Sequence, residues 1–241
     1  TGRIYLMNVD HANTHGSFIE DVAPIKQSNL CCEIDLPTKP LNDINDPDGE
    51  ISLCTLSAVN WGVIKDLTEM QKVCNLAVRG LDELLDYQDY PVLAAELSTM
   101  NRRPLGIGII NFAYRLVKHD TNYQDPNLEL VDEWAEAWSY GLIKASNELA
   151  QEKGSCPKTM ETKYGHGITP NQTYKKDLDE LVKHKERMDW KGLRKQLKAT
   201  GIRNSTLMAL MPAETSAQIA NATNGIEPPR SLISIKLSME Y

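Results

Sequence analysis

The chain has 241 residues, 41 % hydrophobic and 24 % charged, with a formal net charge of -7. That is a globular composition whose acidic balance gives no general attraction to nucleic acid, and no apolar run approaches the roughly 20 residues that span a bilayer, so neither nucleic acid nor membrane is an expected partner. Five cysteines, an odd number in a chain that is not cysteine-dense, argue against a secreted disulfide scaffold and for a reducing, cytoplasmic setting. No secretory pattern is present, and a first residue of Thr1 rather than Met suggests a partial chain.

Residues 2–9 read as a strand entering a polar loop. His11 and His15 have the i, i+4 spacing of a helical metal pair, but their setting reads as loop, and no metal site is expected. Residues 28–36 form a second extended segment ended by Pro37 and Pro40, and residues 37–49 are rich in turn formers. Residues 50–60, small, β-branched and apolar, read as a buried strand. Residues 67–86 place Leu67, Met70, Cys74, Ala77, Val78, Leu81 and Leu85 on one stripe, which predicts an amphipathic helix with Cys74 as a buried structural thiol.

The apolar run 105–110 contains Gly106 and Gly108 and reads as a strand approached closely by another backbone or a ligand. A helix is expected at about 111–118, and a long one over 128–153 that Gly154 ends. The basic residues of 174–198, interleaved with acids, read as a solvated helical face, with a short helix over 189–200 closed by Gly201. Residues 205–211 read as a strand stopped by Pro212, followed by a helix from Glu214 to about Asn221, a rigid turn over 224–230 and a last strand over 232–237. Alternating strands and helices predict an α/β class with a mostly parallel sheet, in one domain over 1–241.

Three places could carry chemistry. In an extended backbone Asn29, Cys31 and Glu33 point the same way, presenting an amide, a thiol and a carboxylate to one small molecule. The same spacing also fits a polar edge strand with an incidental thiol. Cys54 lies on the buried strand, where a free cysteine can be simply a small hydrophobe. Met211-Pro212-Ala213-Glu214-Thr215-Ser216 runs from strand to turn to helix start, which suits an anion; it equally fits N-capping by Thr215 or Ser216.

Gln27-Ser28-Asn29-Leu30-Cys31-Cys32-Glu33-Ile34 resembles the finger-loop signature of class I ribonucleotide reductase large subunits. Leu53-Cys54-Thr55-Leu56-Ser57-Ala58, Leu85-Asp86-Tyr87-Gln88-Asp89-Tyr90-Pro91, Leu105-Gly106-Ile107-Gly108 and Arg203-Asn204-Ser205-Thr206-Leu207 also look like that family. So do Glu214-Thr215-Ser216 and Asn221-Ala222-Thr223-Asn224-Gly225-Ile226-Glu227-Pro228-Pro229-Arg230. The blocks run in family order along nearly the whole chain, in wording closest to the bacterial and T-even-like phage branch.

The resemblance implies part of a ten-stranded α/β barrel made of two five-stranded parallel halves, with a finger loop at about 27–36 and a substrate-phosphate loop at about 211–217. It implies that Cys31 becomes a thiyl radical and takes the 3′ hydrogen of a ribonucleoside diphosphate. Glu33 would take the 3′-hydroxyl proton, Asn29 would hold the substrate hydroxyls, and Cys54 would be one of two cysteines that reduce the 2′ position. Ser28, Asn29 and Glu33 would meet the ribose, and Pro212, Ala213, Glu214, Thr215 and Ser216 the diphosphate.

No cofactor would be bound by this chain directly. A small subunit containing metal would supply the radical, thioredoxin or glutaredoxin the electrons, and the complete large subunit would form a homodimer with allosteric nucleotide sites. Two departures stand out. Cys32 occupies a place often aliphatic in relatives and, in an extended segment, faces away from Cys31. Ala213 replaces a frequent Ser, leaving a backbone N–H where a hydroxyl could have met phosphate. The cysteine that pairs with Cys54 and the tyrosines that relay the radical would lie outside residues 1–241, so the chain alone should not turn over. An alternative is a non-catalytic nucleotide-binding or assembly fragment of a split subunit. A third places the chain with the glycyl-radical or cobalamin-dependent reductases that share the barrel.

Overall fold

The computed structural model describes residues 4–231 and 233. At its centre β1 (Thr55–Asn60) and β2 (Leu105–Ile110) pair in parallel, with Leu56 opposite Gly106 and Asn60 opposite Ile110. A third segment lies along the free edge of β2: Leu105 N donates to Thr206 O, Ile107 N to Leu207 O and Ala209 N to Ile107 O, with a parallel bridge between Ile107 and Met208. The α/β class and the parallel sheet are thus as expected. The described residues hold this parallel portion and not a closed barrel.

Helices cover one face of the sheet. α2 (Leu67–Tyr87) begins where Asp66 accepts from Glu69 N at 2.8 Å, an N-cap that satisfies one of the orphan donors of the first turn. α5 (Leu128–Lys153) begins at Asn127, which accepts from Leu130 N, and ends at Gly154 with φ 87°. The two pack closely, for a Cβ on Gly141 would lie 3.2 Å from Cys74 Cβ. Cys74 is fully buried and its thiol faces Trp138 O at 3.7 Å, so it is structural, as its place on the stripe predicts. Trp61 stands edge-on to Phe112, Trp134 and Trp138 in the same core, and the Arg115 guanidinium lies 3.2 Å above the Trp134 ring. α4 (Phe112–Lys118) and α7 (Trp190–Thr200), the latter capped by Asp189 and closed by Gly201, fall where the sequence puts them.

Several expectations are corrected. Residues 4–8 form no strand; α1 (Val9–His15) begins instead, so His11 and His15 sit on a helix, their rings 5.7 Å apart, and not in a loop. The strand expected over 50–60 shortens to β1, because residues 51–54 are irregular and Glu50 makes an isolated bridge to Lys39. The strand at 205–211 is reduced to the few bonds with β2. The basic stretch forms a helix only in α7. Before it lie α6 (Pro170–Thr173), a short 3-10 turn and coil, whose His184 and Arg187 pair with Asp132 at 2.8 and 2.7 Å. α3 (Leu93–Arg102) was not anticipated. The strand expected over 232–237 lies outside the described residues.

Candidate functional site

The finger loop is a tight turn rather than an extended segment. Ser28 and Asp35 bridge its base, Cys32 N donates to Asn29 O at 3.1 Å, and Cys32 adopts φ 58°, in the left-handed region. The cause is local. Asn29 Oδ1 accepts from Glu33 N (3.2 Å) and Ile34 N (3.4 Å), an Asx-type turn that competes with extended backbone. The inference that Asn29, Cys31 and Glu33 share one face by strand alternation therefore fails, and with it the argument that Cys32 must face away from Cys31.

The turn regroups these side chains differently. Cys31, Cys32 and Glu33 line one cavity of about 430 Å³ with Trp138, Met208, Ala209 and Leu210. Ser28 and Asn29 line another of about 130 Å³ with Cys54. Cys31 and Cys32 are exposed at the tip; Glu33 is half-buried, and its Oε2 is enclosed without a hydrogen-bond partner. An enclosed carboxylate oxygen lacking a donor is well placed to accept one from a ligand.

Apolar packing joins the loop to the sheet. Ile34 and Leu36, at the loop's root, share a core cluster with Phe18, Ala23, Ile25 and Ala209, and Cys54 packs against it. Cys54 precedes β1. Side chains alternate along a strand, so Cys54, Leu56, Ala58 and Asn60 lie on the face opposite the α2–α5 core, as do their neighbours Gly106 and Gly108. A Cβ on Gly106 would lie 2.7 Å from Cys54 Sγ, and one on Gly108 would lie 2.5 Å from Met211 Sδ. The two glycines thus clear this face of the sheet, as the sequence reading of the Leu105–Ile110 run anticipates. Burial, reinforced by the charge of nearby Glu33, pushes the Cys54 thiol up to about 12. Cys54 is therefore a neutral thiol at physiological pH.

The loop at 211–217 lies at the C-terminal end of the strands, lining neither of these cavities. α8 (Glu214–Ile219) starts there. Its N-cap position belongs to Ala213, so Thr215 and Ser216 do not cap it; both are exposed, with their backbone N–H groups ahead of the first helical bond, Ala217 N to Ala213 O. The Ala213 N–H is not an idle donor: it bonds to Asn224 Oδ1 at 2.8 Å. Ala213 and Ala217 pack against Ile110.

Two other blocks of the resemblance are structural. Arg103 holds Asp82 through Nε (2.7 Å) and forks onto Asp86 (2.7 and 2.8 Å), while Asn204 Nδ2 donates to Asp82 Oδ1 at 2.9 Å. Arg203 reaches Asp82 Oδ2, and Asn204 clasps Ser146 on α5.

Set beside known families, residues 1–240 match the ribonucleotide reductase barrel domain, and the chain belongs to that family. Over its full length it is 58 % identical to the ribonucleoside-diphosphate reductase subunit alpha of Haemophilus influenzae and 59 % to ribonucleoside-diphosphate reductase 1 subunit alpha of Escherichia coli K12. The phage T4 subunit alpha is 47 % identical. The chain spans about a third of these relatives: 32 %, 32 % and 31 % of their lengths. The family read from the sequence blocks is borne out, and the similarity to bacterial and T4 subunits agrees with the branch read there.

Proposed function

We propose that residues 1–241 form one partial barrel domain that carries the radical and substrate chemistry of a ribonucleoside-diphosphate reductase large subunit. The observation that carries the reading is the convergence of the finger loop on Cys54. Asn29 and Ser28 share a cavity with the thiol, the Glu33 charge reaches it, and glycines clear the sheet beside it.

In this reading Cys31, as a thiyl radical, removes the 3′ hydrogen, and Glu33 takes the 3′-hydroxyl proton through its unpartnered oxygen. The 2′ hydroxyl leaves as water, protonated by a thiol. Cys54 and a second cysteine elsewhere in the subunit give up two electrons and become a disulfide, and Cys31 returns a hydrogen atom to C3′. The sum is a ribonucleoside diphosphate and a dithiol converted to a deoxyribonucleoside diphosphate, a disulfide and water. A high thiol pKa keeps Cys54 protonated, as a donor of hydrogen must be.

Ser28 and Asn29 hold the ribose. Pro212, Ala213, Glu214, Thr215 and Ser216 receive the diphosphate, with Thr215 and Ser216 offering hydroxyl and backbone donors. Cys54 Sγ reaches the Gly106 position and Met211 Sδ the Gly108 position, two residues further along β2, or roughly 7 Å at about 3.3 Å per residue. That is the scale of a ribose with its 5′-diphosphate. A small subunit supplies the radical, a thioredoxin or glutaredoxin restores the dithiol, and the complete large subunit works as a dimer.

The test grafts the chain in place of the matching segment of a complete class I large subunit. Deoxynucleotide formation is then measured with the small subunit and a dithiol. Activity that Cys31→Ser abolishes is expected; a well-folded graft that accepts the small subunit yet makes no deoxynucleotide would overturn the proposal.

A further inference from the structure

Asparagines join the strand ends to the loop at 211–217. Asn111 directly follows β2 with φ 65° and ψ 26°, and occupies the N-cap of α4 without capping it. Its Nδ2 donates to Asn60 Oδ1 at 3.0 Å, and its Oδ1 accepts from Thr223 N at 3.2 Å. Its backbone N–H donates to Thr223 O at 2.8 Å, making the clasp two-sided. The next residue, Asn224, takes the Ala213 N–H. Room for the amide comes from Gly62, where a Cβ would lie 2.2 Å from Asn111 Nδ2.

α8 has six residues and no side-chain cap, too few to hold a helix by itself. Its position is therefore set from outside, by the apolar contact of Ala213 and Ala217 with Ile110 and by the Asn224 bond. Glycine would serve the left-handed backbone at position 111 at less cost than asparagine, so the backbone alone does not explain the residue. What asparagine adds is the amide, and both of its polar atoms reach across to other elements.

We propose that Asn111 and Asn224 are positioning residues for the diphosphate loop: they tie it, through Thr223 and Ala213, to the ends of β1 and β2. The inference rests on the reading of 211–217 as the diphosphate site. With the loop tied, the donors of Thr215 and Ser216 are held in place before substrate arrives, and less order has to be gained on binding.

The experiment uses the complete subunit carrying this chain with Asn224→Ala, Asn111→Gly or Gly62→Ala. The last displaces the Asn111 amide without altering the loop itself. Equilibrium binding is measured for a ribonucleoside diphosphate and for the same nucleoside without phosphates, together with KM and kcat. We expect each variant to weaken diphosphate binding about tenfold, the scale of one lost hydrogen bond, with nucleoside binding unchanged and KM rising while kcat holds. Unchanged diphosphate affinity, or equal loss for nucleoside and diphosphate, would overturn this inference alone. Absence of diphosphate binding in the unsubstituted subunit would overturn the reading of the site and this inference with it.

Discussion

Gly106 matters for what it lacks. A methyl there would meet Cys54 Sγ at 2.7 Å and Leu56 Cδ2 at 2.6 Å. Gly106→Ala in a complete subunit should therefore shift the thiol by a few tenths of an ångström or more and lower kcat by up to about a hundredfold, the cost of an ångström-scale misplacement. Single-turnover disulfide formation at Cys54 would show it; wild-type rates would refute it. Glu50 makes a second residue-scale prediction. Burial opposes its ionisation, but hydrogen bonds from Lys158 and Arg102 prevail and hold its carboxyl at about 2, against an ordinary 4.5. A depressed folded pKa contributes stability that is present above pH 4.5 and lost as pH falls from there through about 2. The contribution is about 3 kcal/mol, at roughly 1.4 kcal/mol per pKa unit. Acid unfolding of Glu50→Gln should lack this dependence between pH 4.5 and 2. At this scale the spacing of the glycines was legible in the sequence. The orientation of Cys31 was not, because one amide oxygen, Asn29 Oδ1, turns a segment that composition reads as extended.

Among the elements, those with a continuous apolar stripe were legible and those without were not. α2 and α5 bury Met70, Val78, Leu142 and Leu149 at helical spacing, and their capping residues mark the ends. α3 escapes that reading because it buries Ala94, Ala95, Ser98, Thr99 and Arg102, a face of small and polar residues whose place is decided by partners elsewhere in the chain. Arg102 meets Glu50 and Glu161 at 3.0 and 2.8 Å, and Arg103, left-handed at the C-cap of α3, meets Asp82 on α2. Asp82 is fully buried, so Asp82→Ala would leave Arg103, Arg203 and Asn204 short of their acceptor. The expected cost is about 3–5 kcal/mol, as for a buried pair robbed of one partner. Leu76→Ala, on the exposed side of the same helix, should change stability by no more than about 0.5 kcal/mol. Denaturant midpoints of the two variants would separate the buried polar lock on α2 from an exposed position of the same helix.

For the whole molecule, the roles proposed above leave a chain that spans 32 % of its relative's length with one reducing thiol, Cys54, beside Cys31. Cys74 and Cys156 are buried, each pushed up to about 12 mainly by burial, and neither lines the cavity that Cys54 shares with Ser28 and Asn29. The isolated chain should therefore give no multiple-turnover deoxynucleotide formation with dithiol and ribonucleoside diphosphate; sustained product from it would refute the division of roles proposed above. The family, the α/β class and the long helices were determined by the sequence alone, because motif order, stripe period and caps are local and survive being read one residue at a time. The turn of the finger loop, its meeting with Cys54, the Asp82–Arg103–Asn204 lock and the asparagine ties to 211–217 were decided by tertiary structure. Each depends on groups far apart in the chain or on a side chain's choice between competing partners, and no local pattern records which partner wins.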